Sequence, residues 1–185
     1  MTESEFVLQG DGSSHRVSEG TPAAAPDYAA IVTTPWDDVG LGVCVRDDCL
    51  VSIDFLPGNV LSYVAAVAVA REAVGQLQAY FRDPRHRFTV PLAFAGTSFQ
   101  RKVWETLRRI PAGNTRSYGE VARQLGSSAR AVGSACRANP IAVVIPCHRI
   151  VSAQGLGGFM GVTKGRGLEI KQCLLAHESD SACRR

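Results

Sequence analysis

No stretch of this chain approaches the ~20 apolar residues that a membrane-crossing helix needs. Its first residues also lack the basic start and apolar run of a secretory signal. A soluble, cytoplasmic protein with no membrane partner is expected. Six cysteines are present (Cys44, Cys49, Cys136, Cys147, Cys173, Cys183), but their spacings form no disulfide framework. Cys44 and Cys49 have no second pair or nearby histidine at zinc-ligand spacing, so no metal is expected. The glycines from Gly155 to Gly167 are too irregular for a dinucleotide fingerprint, and no Gly-Lys-Ser/Thr end marks a phosphate loop. No cofactor is therefore expected. Internal repeats are missing too, which excludes solenoids.

What remains is 185 residues, 45% of them hydrophobic, enough for one large or two small packed units. Residues 1–30 are rich in Ser, Gly, Glu, Thr and Ala and read as a flexible tail, with a second tail over 179–185. Over 31–95 the pattern is that of a small α+β domain. Val39 to Phe55 alternates around Arg46-Asp47-Asp48 as a hairpin ending at Pro57-Gly58, and Leu61 to Phe81 reads as a helix capped by Asn59. Arg87 to Leu92 reads as a further strand.

Residues 96–178 are mostly helical. Thr97 with Gln100 forms a capping box ahead of the stripe Phe99, Val103, Trp104, Leu107 and Ile110, which Pro111 ends. Ser117 with Glu120 opens a short helix that stops at Gly126. Ser127 or Ser128 caps the next helix, which carries Arg130, Ala131, Gly133 and Arg137. This pair reads as a helix-turn-helix. Nine basic residues between Arg101 and Arg149 face only Glu105 and Glu120, although the net charge of the whole chain is +3. Such an excess is either the footprint of a polyanion-binding face or a solvated helix surface.

Ile141 to Val151 is an apolar run broken by Pro146-Cys147-His148-Arg149. It reads as a buried strand with Cys147 at its exit, where a turn at Pro146 lets the thiol and the His148 imidazole serve one site. A thiol needs a base or a positive charge to become nucleophilic near neutral pH, and His148 is the nearest such group in sequence. A final helix from about Leu168 turns Ile170, Leu174 and Leu175 inward, with His177 expected at the surface.

Gly96-Thr97-Ser98-Phe99-Gln100, Ile110-Pro111-Ala112-Gly113, Ser117-Tyr118, Arg130-Ala131-Val132-Gly133, Asn139-Pro140, Ile145-Pro146-Cys147-His148-Arg149 and Leu174-Leu175-Ala176-His177-Glu178 together resemble the O6-alkylguanine-DNA alkyltransferase family. The resemblance implies an N-terminal ribonuclease H-like domain and a winged helix-turn-helix domain. It also implies a monomer that binds double-stranded DNA containing O6-alkylguanine in the minor groove, with the base flipped, and that acts also on O4-alkylthymine. Cys147 would take the alkyl group irreversibly. His148 would act as its base through a water, Glu178 would orient His148, Asn139 would organise the turn and Tyr118 would serve the leaving group. Arg130 would fill the gap in the stack, with Ser117, Ala131, Gly133 and Arg137 also on DNA. Gly157, Gly158, Phe159 and Met160 would form the substrate loop. Met160 cannot donate a side-chain hydrogen bond, unlike the hydroxyl residue of some relatives, and the loop over 160–167 is longer than in many of them. A cysteine hydrolase and a non-catalytic binder of alkylated DNA remain the alternatives.

Overall fold

The computed structural model describes residues 27–179. Of the expected tails 1–30 and 179–185, residues 1–26 and 180–185 lie outside the described residues, as does Cys183, while Ala30 is not tail but fully buried at the start of the first strand, where it pairs with Val43. The N-terminal half is a four-stranded antiparallel sheet in the order β3-β2-β1-β4, built from β1 (Ala30–Thr33), β2 (Val39–Arg46), β3 (Cys49–Pro57) and β4 (Tyr63–Val64). The β2–β3 hairpin is the expected one. Asp47 and Asp48 both sit at positive φ, 49° and 55°, as a two-residue turn matched to the strand twist requires. Against the sheet lies α1 (Ala68–Arg82), whose Val69, Ala70, Ala73, Val74, Leu77 and Tyr80 are buried.

Two expectations for this half fail. The helix does not begin at Leu61, and Asn59 does not cap it. Instead Tyr63–Val64 pairs with Ala30–Ile31, and α1 starts after Val67 with no side-chain cap. An unpaired edge of β1 offers this stretch hydrogen bonds that a helix end cannot match, and tyrosine and valine suit the pleat. Arg87 to Leu92 is likewise not a strand. The amides of Thr89 and Val90 donate to the Gln76 side chain, and only Leu92 bridges to Leu50.

The C-terminal half carries α2 (Ser98–Arg108), α3 (Tyr118–Gln124), α4 (Ala129–Arg137) and α5 (Arg166–Glu178), with a two-stranded parallel ladder of β5 (Arg116–Ser117) and β6 (Ile150–Val151). Both expected capping boxes form, Thr97 with Gln100 and Ser117 with Glu120, and Ser128 caps α4. Trp104 anchors this half. It is buried and donates from Nε1 to the Ala135 carbonyl at 2.9 Å, tying α2 to α4. Burying such a side chain stabilises by roughly 2–3 kcal/mol. A Cβ at Gly96 would stand 2.7 Å from the same ring, so the turn into α2 must approach it without a side chain.

One hydrophobic core runs through both halves. The outer edge of β3 is one place where they meet. Leu50 donates to Pro91 O, and Ile53 donates to Pro140 O at 2.9 Å, so the segments around 91 and 141 cover an edge that would otherwise be open.

Candidate functional site

The buried run 141–146 is not the expected strand. After its single bridge to Ile53, Ile141 accepts from Ile145 N at 2.9 Å, and Val143 sits at φ 72°, so the chain folds into a compact turn. Asn139 makes this possible. Its Oδ1 accepts from Ile141 N at 3.1 Å and its Nδ2 donates to Ile145 O at 2.8 Å, replacing the ladder bonds of a strand. Pro146 then carries a tight turn in which Cys147 N donates to Ile145 O at 2.8 Å, and Cys147–Arg149 form one 3₁₀ turn leading into β6. The expected redirection at Pro146 is present, from a turn rather than from a strand.

Cys147 is 6% exposed, and its Sγ accepts from Asn139 Nδ2 at 3.2 Å. Burial pushes the thiol up, while the Asn139 hydrogen bond, Lys171 and local backbone donors pull it back. His148 is fully buried, and burial pushes its pKa down, against the opposing pull of Glu178. Nε2 of the ring lies 2.9 Å from Glu178 Oε1, and Nδ1 has no protein partner.

Glu178 is the hub. Besides His148 it accepts from the Tyr80 hydroxyl at 2.9 Å, from Arg149 NH2 at 2.7 Å, from Arg149 Nε at 3.0 and 3.1 Å, and from Gly113 N at 3.3 Å. Burial alone would raise its pKa, but the hydrogen bonds from His148 and Arg149 outweigh that and hold it at about 2.

The open side of Cys147 is a cavity of about 330 Å³. Tyr118, Arg130, Gly133 and Arg137 line it from α3 and α4, and Gly158, Phe159 and Met160 line it from the loop before α5. The Tyr118 hydroxyl donates to Gly158 O at 3.2 Å, and burial together with nearby Cys136 and Cys147 pushes its pKa up to about 12. A Cβ at Gly157, which sits at φ 69°, would stand 3.0 Å from the Tyr118 ring. Phe159 is buried edge-on against Phe55, and Met160, about half exposed, takes φ 52° in a tight turn closed by the paired Phe159–Val162 amides. Arg137 lies across Gly161. Ser117 is spent as the α3 cap, and neither it nor Ala131 lines the cavity.

Three side chains of the site escaped the sequence reading. Lys171 on α5 is fully buried and donates to Ile150 O and Leu156 O, each at 2.6 Å, and to Gly158 O at 3.0 Å, fixing the loop to β6. Burial lowers its pKa to about 8. A lysine between Ile170 and Leu174 was the available signal. Tyr80 falls within the helical stretch ending at Phe81, and Arg149 closes the Pro146-Cys147-His148-Arg149 run, but nothing near either in sequence marks Glu178 as its partner. His177, expected at the surface, is half-buried among Trp36, Tyr80 and Phe81 and meets Tyr80 O at 2.9 Å. Among the described residues no cluster of three His, Cys, Asp or Glu side chains could hold a metal.

Residues 98–180 match the family model of the 6-O-methylguanine DNA methyltransferase DNA-binding domain. A methylated-DNA–protein-cysteine methyltransferase of Methanosarcina acetivorans is 46% identical over 120 residues, covering 63% of this chain and 74% of that protein. The one from Mycolicibacterium paratuberculosis is 51% identical over 109 residues, covering 57% of this chain and 63% of that protein. The crystal structure of Mycobacterium tuberculosis OGT in complex with DNA is similar at a TM-score of 0.67 and 36% identity, covering 82% of this chain and 92% of that one. With Cys147 in the wall of a cavity, with the buried His148–Glu178 pair following it in the fold, and with these relatives aligned along most of its length, the chain belongs to the methylated-DNA–protein-cysteine methyltransferase family.

Proposed function

We propose that this protein repairs DNA by direct reversal, moving the alkyl group of O6-alkylguanine, and of O4-alkylthymine, from duplex DNA onto its own Cys147. The observation that carries the reading is the juxtaposition of a partly buried Asn139–Cys147 contact and a buried His148–Glu178 pair with a cavity lined by Tyr118, Arg130 and Cys147. At about 330 Å³ that cavity is within the size range of small-ligand sites.

At rest the thiol and the imidazole are both neutral, since burial raises the one and lowers the other. His148 takes the thiol proton through an intervening water, and Nδ1 is the ring nitrogen free to receive it. Glu178 stabilises the imidazolium that results and keeps the ring oriented. The Cys147 sulfur pair attacks the alkyl carbon, the carbon–oxygen bond breaks, and its electrons pass to the purine. Tyr118, held protonated by its raised pKa, turns its one hydroxyl hydrogen from Gly158 O to the leaving base and supports it by that hydrogen bond. The thioether is permanent, so each molecule acts once.

In this reading the sheet half is a ribonuclease H-like domain, and α3 and α4 form a winged helix-turn-helix that lies in the minor groove, where a degenerate code suits repair at any sequence. The target base is flipped out at a cost of a few kcal/mol, and Arg130 occupies the gap. The protein works as a monomer in the cytoplasm, on the nucleoid in a bacterium.

Incubation with duplex carrying a labelled O6-methylguanine tests this. One label per protein, mapped to the Cys147 peptide and lost in Cys147→Ser with duplex affinity retained, is expected. Repeated release of product from unmodified protein would establish a hydrolase instead, and repair that survives Cys147→Ser would overturn the nucleophile.

A further inference from the structure

The nine basic residues between Arg101 and Arg149 do not share one face. Arg130 and Arg137 line the cavity beside Cys147. Arg108, Arg109 and Arg149 line a different concavity, of about 660 Å³, to which the segment after α1 adds Arg85, His86 and Arg87. The two hollows share no lining residue. They flank the 3₁₀ turn, Cys147 in the wall of one, Pro146 and Arg149 in the wall of the other.

No aspartate or glutamate is among the described residues lining the second hollow. Glu178, the carboxylate that meets Arg149, is already shared with His148 and Tyr80. Arg87, Arg108 and Arg109 are exposed, so three guanidinium groups meet at one cleft without a lining carboxylate to offset their repulsion. The walls between them, Phe88, Ile110, Val143 and Val144, are apolar and focus the positive potential toward the opening. The Nε2 atom of His86 has no hydrogen-bond partner.

We propose that this cleft is a second anion site, which takes the phosphodiester backbone of a nucleic-acid segment other than the one held at α4. A chain of regularly spaced charges fits cationic groups spread around a concavity better than a single phosphate does. The proposal rests on the DNA-binding reading above, because a protein already seated on a duplex meets further phosphates at high effective concentration.

The test compares the full chain with the Arg87→Ala/Arg108→Ala/Arg109→Ala variant, checked for native circular dichroism. Two duplexes are used, one short enough only for the α4 footprint and one several times longer. The variant should bind the long duplex at least about tenfold more weakly, with a salt dependence shallower by about 2–3 counterions, one for each lost phosphate contact. Affinity for the short duplex, and alkyl transfer from it, should not change. Equal weakening on both duplexes would put these arginines in the α4 contact and overturn the proposal, as would no weakening on either. Inorganic phosphate saturating the cleft while the variant keeps full long-duplex affinity would assign the site to free anions instead. Failure of the unaltered chain to bind even the short duplex would overturn the DNA reading, and this proposal with it.

Discussion

The hydroxyl of Tyr80 donates at 2.9 Å to the Glu178 carboxylate, across 98 positions of sequence. One residue is on the helix that covers the sheet, the other ends the last helix and holds His148. The N-terminal half therefore reaches the reactive centre through a buried hydrogen bond, and burial together with Glu178 raises the Tyr80 pKa well above the ordinary phenol value, keeping it a donor.

Tyr80→Phe should cost about 1.5–3 kcal/mol, the usual worth of a hydrogen bond to a charged group. Chemical unfolding reads the stability. Single-turnover transfer should slow severalfold while affinity for undamaged duplex stays the same; an unchanged rate would show that His148 needs no support from the sheet half.

Glu178→Gln should be harsher, since it leaves the buried Arg149 guanidinium without its charge partner, a loss of about 3–5 kcal/mol. Acid should mimic it. The carboxyl titrates near 2 when folded, below its ordinary 4.5, so its contribution is complete above about pH 4.5 and is lost as pH falls toward 2. A pH series of melting temperatures should show this acid limb in the parent and lack it in Glu178→Gln.

Transfer should accelerate as pH rises above neutrality, because burial holds the Cys147 thiol above its ordinary value. The imidazole, depressed below 6.5, remains a neutral base down to that range and adds no loss until below it. Asn139→Ala removes a donor that favours the thiolate and should shift the rise to higher pH. Rapid-quench transfer rates across pH check both statements.

Lys171→Met should free three carbonyls at once and loosen the loop from Leu156 to Gly158, with faster amide exchange there than at α2. Because Lys171 titrates at about 8 when folded and near 10.5 when unfolded, the unfolded chain binds more protons in between. Stability of the parent should therefore rise relative to Lys171→Met from pH 8 to 10.5. A flat difference would mean the ammonium is not buried in solution.

Arg130→Ala should impair transfer from duplex far more than from free O6-methylguanine, if its side chain fills the vacated stack. Side-by-side rates on the two substrates decide it, and equal slowing would remove the role.

Local chemistry was readable before folding, and non-local chemistry was not. The Thr97, Ser117 and Ser128 caps, the Asp47-Asp48 turn and the stop at Pro111 each depend on residues within four positions, and each formed where the sequence put it. Tyr63–Val64 became a strand because β1 offered an edge, and 141–146 became a turn because Asn139 satisfied its backbone. Neither partner is visible in the segment itself. The same holds for Tyr80 and Lys171, whose importance comes from what lies opposite them in space.

Lys171 grips its loop solely through main-chain oxygens, which every amino acid carries. The wall of the cavity can therefore change along its side chains while keeping its anchorage.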